Sequence, residues 1–174
     1  MSISMHSASA PVFIRMLDNL LGWLNKAEAH AAAKKFDTAV LLSTRLAPDM
    51  LPFVKQVQIA CDAAKFCMAR LAGSEAPKFE DTESTLEELR QRVRMTIEYI
   101  GSVPATQVDG SEQRDIVVPS REGSFTLKGE DYLRHFAMPN FFFHVTTAYA
   151  LLRHNGVDLG KADYLGLTRT QAKA

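Results

Sequence analysis

The stretch 52–73, PFVKQVQIACDAAKFCMARLAG, decides the fold. Its Val54, Val57, Cys61, Ala64, Met68 and Leu71 are spaced 3, 4, 3, 4, 3, which is the apolar seam of helices packed nearly antiparallel in a bundle. The spacing predicts one long helix between Pro52 and Gly73. Such a seam has to be covered, so the rest of the chain is read for helices able to cover it.

On the C-terminal side, GSEAPKFEDTE is polar and broken by proline, the signature of a loop. A helix follows with Leu86, Leu89, Val93, Ile97 and Ile100 on one face. Ser84 or Thr85 serves as its N-cap, with Glu87 or Glu88 three residues on, and it stops at Gly101 and Pro104. On the N-terminal side, Phe13, Met16, Leu17, Leu20, Leu21 and Leu24 mark an amphipathic helix from Pro11 to about Ala32. The piece DTAVLLSTRL between these helices is a connector with about two helical turns.

Between 112 and 129 the period changes. DIVV and SFTLK are β-branched and apolar around PSREG, which predicts a hairpin lying against the bundle or a partner. A fourth long helix begins after Gly129 and ends at Asn155-Gly156, with Pro139 inside it predicting a kink or a broken turn. The expected architecture is all-α, a four-helix bundle with a small hairpin between the third and fourth long helices. Residues 1–174 read as one domain, with about 165–174 a frayed tail.

The bulk composition narrows the function classes. Twenty Lys and Arg balance twenty Asp and Glu, so no overall field recruits nucleic acid or an anionic membrane. No apolar run reaches the roughly 18 to 20 residues of a membrane span, and MSISMHSASAPVF lacks the pattern of a signal peptide. Cys61 and Cys67 sit on one helix with backbones about 9 Å apart, too far for a disulfide. They read as reduced, buried thiols of a cytoplasmic protein.

Within 140–156, NFFFHVTTAYALLRHNG, one histidine lies in a greasy helical run. Heptad spacing puts Leu133, Ala137, Asn140, His144, Thr147 and Leu151 on one stripe, so Asn140 and His144 point inward. His135 and His154 fall on other faces, and only a second helix can complete a site. Gln58 and Asp62 share a face at i, i+4. One imidazole with amide oxygens suits a buried polar network better than zinc or nickel. If His144 acts as a general base, Asp62 is the candidate to orient it. Phe141, Phe142 and Phe143 span too wide an arc for one core contact. With Trp23 and Tyr149 they suggest a small-molecule pocket or the centre of a homodimer interface.

The run 144–166, HVTTAYALLRHNGVDLGKADYLG, resembles the last helix and tail of the DinB-like superfamily of bacterial four-helix bundles. SAPVFIRML, QVQIACDAAKF and MPNFFFHVTTAY are similar to an uncharacterised branch of it, carried as a domain of unknown function. The resemblance implies an up-down-down-up bundle with a long second crossover. It also implies, for many members, a three-histidine site for nickel or zinc, with one histidine on the second helix and a His-x-x-x-His pair on the fourth. Those positions resemble Gln58, Asn140 and His144 here, so two of the three histidines are absent. The function implied is a small-ligand-binding or interaction protein, a homodimer with a degenerate metal site and no cofactor. The alternative is a metal-dependent hydrolase or thiol transferase using His144.

Overall fold

The computed structural model describes residues 3–120 and 122–167. Helix α1, Met5–Lys34, opens on a capping box in which the Ser4 hydroxyl accepts from the Ser7 N–H and the Ser7 hydroxyl accepts from the Ser4 N–H. It therefore starts six residues before Pro11, earlier than the apolar spacing implied. Pro11 is exposed, so the Ser7 carbonyl that it leaves without a donor lies on the wet side and the helix runs through. Phe13, Leu17, Leu20 and Leu24 are fully buried along one stripe.

The connector α2, Ala39–Leu42, is a single turn, shorter than expected. Helix α3, Phe53–Ala72, matches its expected limits and ends at Gly73 with φ +68°, the left-handed conformation that glycine takes at least cost. Burial on α3 is wider than the seam. Phe53, Ala60 and Cys67 are buried with Val57, Cys61, Ala64, Met68 and Leu71, whereas Val54 is only half-buried. The reason is that α3 packs against more than one long helix. Helix α4, Leu86–Ser102, is capped by Thr85 paired with Glu88, and α5, Ala105–Val108, follows as one turn. The α1–α4, α4–α3, α3–α7 and α7–α1 contacts close a ring of four long helices around the core.

Strands β1, Asp115–Ser120, and β2, Gly123–Lys128, pair antiparallel with Ile116 opposite Leu127 and Val118 opposite Phe125. Ile116 and Val118 turn into the core, while Val117 faces out, so the hairpin lies on the bundle as expected. Its exit is fixed by Gly129, where a Cβ would stand 2.0 Å from the Ser111 carbonyl oxygen; only glycine fits this approach.

Short α6, Gly129–Asp131, runs into a π-helical segment, Tyr132–Ala137, and then α7, Met138–His154. The Met138 N–H reaches the Leu133 carbonyl five residues back. Pro139 thus breaks nothing. The chain widens one turn ahead of the missing donor and continues helical.

The tail returns as α8, Lys161–Leu165. Trp23 Nε1 donates to the Asp163 carbonyl at 3.2 Å, Asn19 Nδ2 donates to the Tyr164 carbonyl at 2.9 Å, and Lys26 pairs with Asp163 at 2.8 Å. The rings of Trp23 and Tyr149 pack on Tyr164. That clasp corrects the idea that Trp23 and Tyr149 join the phenylalanines in a pocket. The expected fraying of the tail concerns mainly 168–174, outside the described residues; residues 165 and 166 are held by Arg15, which donates to both carbonyls. Among the described residues no helix is long and apolar enough to cross a membrane.

Candidate ligand-binding groove

His144 is buried on α7, and its Nδ1 lies 2.7 Å from Gln56 Oε1 on α3. Gln56 Nε2 donates to the Leu51 carbonyl at 2.9 Å, which fixes the amide with its oxygen toward the imidazole. Nδ1 must then carry the proton, and the neutral ring keeps a lone pair on Nε2. Burial holds the imidazole below its ordinary 6.5, in keeping with a neutral ring. The partner of His144 is therefore Gln56, and neither Gln58 nor Asp62.

Those two residues lie on a different face of α3. Gln58 Nε2 donates to Glu83 at 2.6 Å. Asp62 pairs with Arg92 and Lys65, each at 2.8 Å, and Arg92 reaches Glu83 at 3.1 Å and Asp81 at 3.3 Å. Lys55 closes on Asp81 at 3.0 Å. The ring of Phe79 lies 4.4 Å from Lys65 Nζ and 5.1 Å from the Arg92 guanidinium, near enough for cation–π attraction. Gln58 and Asp62 do share a face, as their spacing requires, but it turns toward α4.

Asn140, one turn before His144, lines a cleft of about 240 Å³ between α3, the π-helical segment and the hairpin. Ile59, Ala63 and Phe66 form one wall, Phe136 and Val118 the other, and Asp62 reaches its edge. At one end Arg70 Nη1 donates to the Tyr132 hydroxyl at 3.0 Å. Tyr132 is 1% exposed, and its burial pushes the phenol up to about 12, so it stays protonated. Sequence reasoning missed Arg70 and Tyr132; Arg70, at Phe66 plus four, was the available signal.

The phenylalanine run divides three ways. Phe141 is fully buried with its ring edge-on to Phe13 at 4.8 Å, Phe142 is half-buried, and Phe143 is 54% exposed. Phe142 and Phe143 line a shallow apolar dish of about 420 Å³ with Leu46 and Ala150. One ring does face a second surface.

Residues 5–165 match the family described as domain of unknown function DUF1993. The chain belongs to that family. A crystal structure of a DinB family member protein from Shewanella denitrificans is 44% identical over 92% of this chain and 90% of that one, with a TM-score of 0.87. No curated protein matches. This DUF1993 chain is thus a DinB-like helical bundle carrying a small antiparallel hairpin, as the resemblance implied.

The metal implied by that fold can be tested against the donors present. In this DUF1993 chain the Gln56 amide takes His144 Nδ1 and leaves Nε2 as its one free donor, Asn140 is a neutral amide, Gln58 is turned to Glu83, and Asp62 is held by two cations. Among the described residues, no three His, Cys, Asp or Glu side chains form a metal-holding group. Zinc and nickel favour several nitrogen, sulfur or carboxylate ligands, and this donor set does not fit them. Burial pushes the Cys61 thiol up to about 12 and raises that of Cys67 as well, so both stay protonated and are poor metal ligands.

Proposed function

We propose that this DUF1993 chain is a single-domain, small-ligand-binding protein that works without a metal. The observation that carries the reading is the donor set: among the described residues the His144 Nε2 lone pair belongs to no group of three His, Cys, Asp or Glu side chains able to hold a metal, and Asp62 is committed to Arg92 and Lys65. The α3–α7 cleft, with Asn140 on its wall, is the place for the ligand. His144 acts here as a buried support for the α3–α7 packing beneath Asn140 and not as a general base.

Elemental mass spectrometry tests the metal half of this proposal. The untagged chain incubated with zinc, nickel or manganese is expected to retain well under one equivalent. Near-stoichiometric metal that is lost in His144→Ala sinks the reading and favours a metal-dependent hydrolase or thiol transferase. Two further parts belong to the same proposal. The buried free thiols Cys61 and Cys67 support a reducing, cytoplasmic setting. The dish around Phe143 supports a homodimer, which light scattering on Phe143→Ser checks by loss of the dimer mass.

A further inference from the structure

We infer that the α3–α7 cleft takes a small carboxylate with a short apolar body, anchored by Arg70 and Tyr132. This rests on the small-ligand reading and names its chemical class.

The charge pattern is the first argument. Asp62, Asp81 and Glu83 are matched by Lys55, Lys65 and Arg92 within one cluster. Arg70 stands outside that balance: among the described residues it pairs with no carboxylate, and its guanidinium makes one hydrogen bond, to the Tyr132 hydroxyl. The cleft therefore has an unmatched positive charge at one end. A buried or half-buried guanidinium is normally paired, so its missing partner is expected from outside.

Donor geometry is the second. The guanidinium is held 5.2 Å from the Phe66 ring and 5.8 Å from the Tyr132 ring, which limits its rotamers before any ligand arrives. Tyr132 accepts from Arg70 and, among the described residues, its own O–H finds no acceptor. A guanidinium and a phenol that lie side by side, both with N–H or O–H protons to give, suit one carboxylate. At the other end of the cleft the half-buried Asn140 amide has no hydrogen bond among the described residues, and it offers a second polar handle.

Shape is the third. Ile59, Ala63, Phe66 and Phe136 make the middle of the cleft apolar. Its 240 Å³ lies under the roughly 300–1,000 Å³ of sites for drug-sized ligands, so the apolar body is short. A dianionic phosphate would meet a single unmatched cation with Asp62 at the edge, a poor balance, whereas a monoanion is matched. The π-helical segment also contributes. Positions four apart over-rotate by roughly 40° on an α-helix and fall short of a full turn on the wider one, so the two drifts offset along the segment, and Tyr132, Phe136 and Asn140 all line the cleft.

The test is a titration of the full, 15N-labelled chain with benzoate, and in parallel with benzyl alcohol as its uncharged counterpart, followed by amide shifts. Benzoate is expected to move the amides of Phe66, Arg70, Tyr132 and Asn140 saturably, with benzyl alcohol about tenfold weaker or more. Arg70→Gln should erase that preference, Arg70→Lys restore part of it, and Tyr132→Phe, which keeps the ring packing, weaken benzoate alone. Equal binding of the two probes at the cleft overturns the carboxylate class and leaves the small-ligand reading standing. No shift at the cleft with either probe overturns both. Should Arg70→Gln fail to fold, the probe pair and Tyr132→Phe decide the matter by themselves.

Discussion

Helix α3 carries polar residues on two faces, and the two are built on opposite terms. Toward α4, Gln58, Asp62 and Lys65 enter a cluster in which every charge meets an opposite charge within the protein. Toward α7, Gln56 and Arg70 stand in a sparse line with His144, Asn140 and Tyr132, where donors exceed acceptors. Closed polar clusters fix how helices sit against each other; open ones leave something for a ligand to complete. Dense charge on a helix is thus a weaker pointer to function than one charge left over.

The sharpest way to break this contrast is Arg92→Ala. Arg92 is 2% exposed and serves Asp62, Asp81 and Glu83 together; its loss leaves the nearly buried Glu83 without a cation while Asp62 and Asp81 keep Lys65 and Lys55, at a cost of about 3 kcal/mol in denaturant unfolding, the low end for a broken buried pair. Benzoate affinity should be unchanged wherever the variant is folded, and a parallel loss would mean that the two faces are not separate. The cluster is not perfect even in the native chain: among the described residues Gln58 Oε1 and Arg92 Nε are buried without partners.

A smaller effect is expected from His144→Ala or Gln56→Ala. Either leaves the other's polar atom unpaired, at about 1–3 kcal/mol, and the double variant should cost less than the two singles added together. Additive losses in that cycle would deny the coupling between α3 and α7.

The smallest effect is in pH. The folded pKa of His144 is depressed below 6.5 by burial, so protons bind the unfolded chain more readily than the folded one. The stability this histidine allows is present above about 6.5 and is lost as pH falls from there to the folded value. Thermal unfolding between pH 7.5 and 5.5 should therefore show the native chain losing stability faster than His144→Gln. Parallel curves would mean that His144 titrates as it does in water.

Much of the fold was legible because it rests on local rules. The 3, 4 spacing located α3, the Thr85–Glu88 pair started α4, and the change to β-branched residues marked the hairpin. The start of α1 was not, because Ser4 and Ser7 lie in a serine-rich stretch where the cap is invisible without its hydrogen bonds. The π-helical segment was hidden too, since Pro139 announces a missing donor but not how the preceding turn absorbs it. In the site, His144 was placed inward correctly while its partner on α3 was misassigned by two residues, and Asn140 is half-buried on the wall of the cleft. Two positions on a helix are about 200° apart, so exchanging Gln56 for Gln58 moves the reading from the α7 face to the α4 face.

The widened turn before Met138 has a consequence for engineering. Its hydrogen bonds span five residues instead of four, so the segment holds more chain than an α-helix of the same length. Deleting one exposed residue there, such as His135, would let the turn close into ordinary helix and absorb the loss, whereas the same deletion inside a regular α-helix would rotate everything before the cut by about 100°. Tyr132 would then stay beside Arg70, so the segment is a place where the chain can be shortened by one residue without dismantling the cleft.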